Sequence, residues 1–92
     1  MNEIYNILVV DDDSDMCELL SEVLKGEGMC VSAFSDGLEA CKALKREEFD
    51  VVITDLKMKG LKGLDVLAEV KKTAPATPVI IITAFGTVES AI

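Results

Sequence analysis

Four short apolar runs, separated by stretches each long enough to hold a helix, predict an α/β fold: a parallel sheet with helices on both faces. The runs are Ile7–Val10, Cys30–Phe34, Val51–Ile53 and Val79–Ile82. All but the second are continuous and rich in Val and Ile, as in strands buried on both sides. A second observation concerns how the runs end. The first closes in Asp11-Asp12-Asp13 and the third in Thr54-Asp55. In open α/β sheets the crevice outside the carboxyl ends of the strands is where ligands bind.

Taken in order, Met1 to Val10 is a polar lead into the first strand. Asp13 or Ser14 suits the cap of a first helix, accepting from its exposed N–H groups. Met16, Leu19, Leu20, Val23 and Leu24 recur at helical spacing, and Gly26 and Gly28 end the helix. Capping accounts for Asp13 but leaves Asp11 and Asp12 unexplained, which favours a chemical role for those two. Cys30–Phe34 is less apolar than the other runs, as an outer strand is. Ser35-Asp36-Gly37 then turns the chain into a second helix, with Leu38, Cys41 and Leu44 inward and Lys42, Lys45, Arg46, Glu47 and Glu48 outward. After the third strand, Lys57 to Lys62 reads as a loop. A third helix follows with Leu64, Leu67 and Ala68 inward, stopping before Pro75. Thr77-Pro78 leads into the fourth strand, and Gly86-Thr87 opens a further helix with Thr87 as its cap.

Composition narrows the function classes. Ninety-two residues suit one domain, spanning 1–92, with a core that is aliphatic rather than aromatic: 50% of residues are hydrophobic and 4% aromatic. A net charge of −8 argues against nucleic-acid binding by this segment's own surface. Cys17, Cys30 and Cys41 are odd in number and form no CxxC, so they read as small buried hydrophobes in a reducing cytoplasm. The N-terminus has no basic region followed by an apolar run, and no apolar stretch approaches the roughly twenty residues that span a membrane.

Asp55 by itself is as readily a turn-initiating residue as a reactive one. Its company changes the reading. Parallel strands that both end in carboxylates bring several negative charges into one small volume, which is costly without a cation. Thr83, after Val79–Ile82, adds a hydroxyl at the same rim. An all-oxygen donor set in a chain with no histidine suits Mg2+ far better than zinc.

In ILVVDDD at 7–13, VVITDLKM at 51–58 and PVIIITAFGTVESAI at 78–92, the chain resembles the receiver domain of two-component response regulators. The resemblance covers essentially its whole length, and the TAFGTVESAI ending is similar to receivers of bacterial enhancer-binding transcription activators. It implies a flavodoxin-like fold with strand order 2-1-3-4. The family's fifth strand and last helix would lie beyond Ile92, making residues 1–92 a receiver incomplete at its C-terminus. It also implies a phosphoacceptor rather than a turnover enzyme, with a phosphoryl group passing from a histidine kinase to Asp55. Mg2+ would be held by Asp12 and Asp55 directly, by Asp11 through water, and by the backbone carbonyl of Lys57. Thr83 matches the family's switch hydroxyl and Ala84 the small residue beside it. An output domain beyond residue 92, regulating transcription, completes the expectation.

The chain departs from the family pattern at Lys59, where proline is common, and at Lys62, where an acid precedes Gly63. The family's phosphoryl-pairing lysine would fall beyond Ile92, and neither Lys57 nor Lys59 takes its place. Without a fifth strand, the run Val79–Ile82 is expected to form an open edge and aliphatic surface to stay uncovered on one sheet face, both favouring self-association through strand four. The alternative reading is a haloacid-dehalogenase-type phosphatase fragment with Asp11 as nucleophile, since Asp11-x-Asp13 mimics that family's opening motif, although its further acidic residues have no clear match. A nucleotide- or flavin-binding domain fits poorly, because acid stands where a glycine-rich phosphate loop belongs.

Overall fold

The computed structural model describes residues 3–56, 63–83 and 86–89. In chain order the elements are β1 (Asn6–Val10), α1 (Ser14–Gly26), β2 (Cys30–Phe34), α2 (Gly37–Arg46), β3 (Val51–Asp55), α3 (Gly63–Thr73), β4 (Val79–Thr83) and β5 (Gly86–Glu89). The sheet runs β2-β1-β3-β4-β5. Its first four strands are parallel, in the expected order 2-1-3-4. Below the sheet, Asn6 and Asp50 lock the β1–β3 register. The Asp50 N–H donates to the Asn6 carbonyl at 2.7 Å, and the Asn6 N–H donates to Asp50 Oδ2 at 2.7 Å.

The chain after β4 departs from expectation. Gly86–Glu89 does not open a helix; it pairs antiparallel with β4, with Ile80 opposite Glu89 and Thr83 opposite Gly86. The open edge foreseen at β4 is therefore closed, and the outermost strand is β5. The physical reason is local. A few residues are far below the roughly twelve that make a helix stable by itself, whereas an apolar strand with free N–H and C=O groups is a ready template for pairing.

The two faces of the sheet are filled by different helices. Leu8, Val10, Val52, Val79 and Ile81 pack with Ala40, Ala43, Leu44, Val66 and Val70 beneath α2 and α3. On the other face Ile7 and Val9 pack with Cys17 of α1, and Leu20, Leu24, Val31, Val51 and Ile53 are partly buried around them. That alternation along β1 is the period of a strand buried on both sides.

The apolar faces read from the sequence hold in part: Cys41 and Leu44 are buried and Leu20, Leu24 and Leu67 partly buried, as expected. Leu19, Val23, Leu38 and Leu64, expected inside, are between 54% and 58% exposed. Ala68 is exposed too. Their places are taken by Cys17 in α1, Ala40 and Ala43 in α2, and Val66 and Val70 in α3. Small or β-branched residues fill most of the contact between helices and sheet, with Leu44 a buried exception, while Leu19, Leu38 and Leu64 turn outward.

Helix ends follow the sequence closely. Asp13 caps α1 by accepting from the Asp15 N–H at 2.9 Å, and Asp36 caps α2 by accepting from the Leu38 N–H at 2.8 Å. At the far end of α1, the Met29 N–H donates to the Leu24 carbonyl and the Gly28 N–H to the Lys25 carbonyl. Gly28 sits at φ 87°. That paired closure requires a left-handed residue, which glycine adopts without a Cβ penalty. Among the described residues no helix is long and apolar enough to cross a membrane.

Candidate functional site

The site forms where β1 and β3 finish side by side. Val10 and Thr54 are register partners, so the residues that follow them, Asp11 and Asp55, emerge at the same carboxyl edge. Carboxylate oxygens of Asp11, Asp12 and Asp55 lie within 4.8 Å of one another. The sequence-predicted acidic trio is therefore brought together.

Each member is held differently. Asp11 is 8% exposed. Its backbone extends the ladder by donating from N–H to the Phe34 carbonyl at 3.1 Å, and its Oδ1 accepts the Asp13 N–H at 2.9 Å. The Cys17 thiol donates to the Asp11 carbonyl at 3.2 Å. Burial pushes the Asp11 carboxyl above its ordinary pKa; the Asp13 N–H opposes this, and the charges of Asp55, Asp12 and Asp13 add to it. Burial likewise pushes the Cys17 thiol up, reinforced by Asp11, so this cysteine packs and hydrogen-bonds rather than reacts. Asp12 is exposed and Asp55 half-buried.

Asp55 is the last residue of β3 and the register partner of Ile82 in β4. The next residue, Leu56, donates its N–H to the Ile82 carbonyl at 3.0 Å. Thr54, fully buried, donates its hydroxyl to the Asp55 carbonyl at 3.1 Å. Gly63, the first residue of α3, donates its N–H to the Leu56 carbonyl at 3.1 Å. Sequence reasoning treated Thr54 and Gly63 as bystanders; only their close approach to Asp55 marks them out. Thr83 ends β4 one residue beyond Ile82, at the same edge. Lys57 and Ala84, the remaining expected site residues, lie outside the described residues, as do Lys59 and Lys62.

The donor set fits a hard divalent cation. It consists of carboxylate oxygens, one of them on a buried group whose charge is disfavoured without a counter-ion. Among the described residues the sulfur beside the cluster is the Cys17 thiol behind Asp11, whose pKa burial pushes up, so it is a poor soft ligand for zinc.

Fold and cluster together define a class: an open, doubly wound α/β domain with an acidic oxygen site at the carboxyl edge of its two central strands. Comparison supplies the family. Residues 7–92 match the response regulator receiver domain, and the chain belongs to that family. The transcriptional regulatory protein ZraR of Klebsiella oxytoca is 38% identical over 90 residues, which cover 98% of this chain and 20% of that protein. The DNA-binding transcriptional regulator NtrC of Escherichia coli is 37% identical over 86 residues, 94% of this chain and 18% of that protein. The chain thus spans about a fifth of the length of these curated relatives. Among solved structures, the response regulator TrrA of Thermotoga maritima, in complex with Mg2+ and BeF, is 39% identical with a TM-score of 0.82, covering 87% of this chain and 70% of that one. A receiver domain protein from Clostridium thermocellum is 38% identical with a TM-score of 0.82, covering 86% of this chain and 64% of that one.

Proposed function

We propose that this chain is the phosphoacceptor module of a two-component response regulator, with Asp55 as the residue that takes the phosphoryl group from a histidine kinase. The observation that carries the reading is the placement of Asp55 at the end of β3, its carboxylate within 4.8 Å of those of Asp11 and Asp12. In the transfer, an Asp55 oxygen forms a bond to phosphorus as the bond to the kinase's histidine nitrogen breaks, leaving that histidine free. The reaction asks chiefly for positioning and charge neutralisation. Asp11, Asp12 and Asp55 would hold Mg2+, with the Lys57 carbonyl a further ligand by family resemblance, and the ion would supply that neutralisation. By the same resemblance Thr83 is assigned the switch hydroxyl, and Ala84 matches the small residue that follows it in the family.

Asp11 is less suited to be a nucleophile. It is buried, its Oδ1 is engaged by the Asp13 N–H, and its charged form is disfavoured. That argues against the dehalogenase-type phosphatase reading and against turnover enzymology. The partners we assign are a histidine kinase and, since the curated relatives are transcriptional regulators of several times this length, an output domain of the enhancer-binding transcription type.

The test is direct. Incubated with a phosphorylated kinase and Mg2+, the chain should acquire an acid-labile, hydroxylamine-sensitive label that Asp55→Asn abolishes. Full labelling of that variant would reject the assignment.

A further inference from the structure

We infer that Thr54 and Gly63 are positioning residues that clamp the backbone of Asp55 and so aim its carboxylate at Asp11 and Asp12; this rests on the site reading above and deepens it. Thr54 and Asp55 alternate across β3, so the Asp55 side chain joins the α1 face while Thr54 is buried on the α2–α3 face. From there the Thr54 hydroxyl reaches the Asp55 carbonyl at 3.1 Å. α3 closes on the same carbonyl. A Cβ added at Gly63 would overlap the Asp55 carbonyl oxygen outright and stand 2.8 Å from the Leu56 Cα, both of them backbone atoms that cannot swing aside. The absence of a side chain at Gly63 is what lets the first turn of α3 press against β3 here, and its N–H bond to the Leu56 carbonyl at 3.1 Å ties the contact.

The clamp completes a three-sided hold. β4 fixes the next peptide through the Leu56 N–H bond to Ile82, Thr54 fixes the Asp55 carbonyl, and Gly63 closes the space around it. Asp55 is only half-buried, so its carboxylate is not packed into place by neighbours as that of Asp11 is. Its aim is set by the peptide behind it. A rotation of that peptide moves the carboxylate relative to Asp11 and Asp12, and displacements near 1 Å at reacting groups are enough to cost about a hundredfold in efficiency.

The experiment is an NMR titration of the 92-residue chain with Mg2+ alone, using Thr54→Val, Thr54→Ser, Gly63→Ala and, as a control, Val70→Ala. Thr54→Val keeps the volume and deletes the hydroxyl, whereas Thr54→Ser keeps the hydroxyl. Val70→Ala loosens the buried face of α3 without touching Asp55. In Thr54→Val and Gly63→Ala, the metal-free carbonyl carbon resonance of Asp55 should move and Mg2+ affinity should fall by about tenfold or more, with β1 and β2 amide shifts unchanged. Thr54→Ser should restore both readouts, and Val70→Ala should leave Mg2+ affinity within about twofold of the parent. Unchanged Asp55 resonance and Mg2+ affinity in folded Thr54→Val would overturn the clamp. An equal loss of affinity in Val70→Ala would do the same, by showing that helix stability alone governs the site. Should Gly63→Ala not fold, Thr54→Val with its serine rescue decides the matter. If Mg2+ leaves the parent's Asp55 untouched, it is the metal-site reading that fails; the metal-free resonance still reports on the clamp.

Discussion

Among the described residues the face of the sheet beneath α2 and α3 is the more deeply buried, whereas on the face beneath α1 full burial of strand residues is confined to β1. On the first, Leu8, Val52, Val66 and Val70 are fully buried. On the second, Ile7 and Val9 are buried, but Val51, Ile53 and Ile82 are half-buried and Ile80 is 38% exposed. Among the described residues α1 is the helix that packs on this face, and it lies against β1 and β2. The acidic site is mounted on this thinner face: Asp11 lies under the cover of α1 through Cys17, and Asp55 lies just outside it. Asp55 is thus half-buried, with the backbone behind it held from the more deeply buried face.

The sharpest test of the contrast compares one residue from each face. Leu8→Ala should cost about 3 kcal/mol, by transfer free energy plus the cavity left in a site that cannot collapse. Ile80→Ala should cost less than about 1 kcal/mol, as for a partly exposed position. Urea unfolding reads both. Comparable losses would mean that something covers the thin face in solution, and sedimentation would show whether it is a second copy. Self-association through β4 requires β5 to leave its place, since β5 occupies that edge.

A smaller effect concerns the cover itself. Gly28→Ala should destabilise by about 1 kcal/mol, because φ 87° is strained for any residue with a Cβ and the closure of α1 depends on it. A neutral result would show that α1 can end another way.

The last and smallest effect is electrostatic. The folded state holds the Asp11 proton more tightly than the unfolded chain does, chiefly because burial disfavours the charged carboxylate. Its contribution to stability is therefore fully present below the ordinary carboxylate pKa and is lost as pH rises through the raised folded value. Asp11→Asn keeps an acceptor for the Asp13 N–H and removes the charge, so it should stabilise the metal-free protein at neutral pH and flatten that loss. Thermal melts across the acid range, without metal, check the sign; a destabilised variant at neutral pH would reverse it.

Much of this was legible in the sequence. Continuous Val/Ile runs read as strands buried on both faces, Asp13 and Asp36 mark helix starts, and parallel strands that end in carboxylates present them at the same edge of the sheet, the order 2-1-3-4 being what the family resemblance implied. These are consequences of short-range periodicity and of parallel topology, which a chain carries along its length. Helix phase was legible only in part: Cys41 and Leu44 face inward as read, but Leu19, Val23, Leu38 and Leu64 do not. Leu19 and Cys17 both satisfy helical spacing, and which one faces inward depends on how closely α1 can approach β1 and β2. The strand at Gly86–Glu89 depended on a free edge at β4 rather than on its own residues. The roles of Thr54 and Gly63 were invisible for the same reason: a hydroxyl and a missing Cβ acquire meaning only when the first turn of α3 is pressed onto the carbonyl of Asp55, a contact between segments that tertiary packing alone creates.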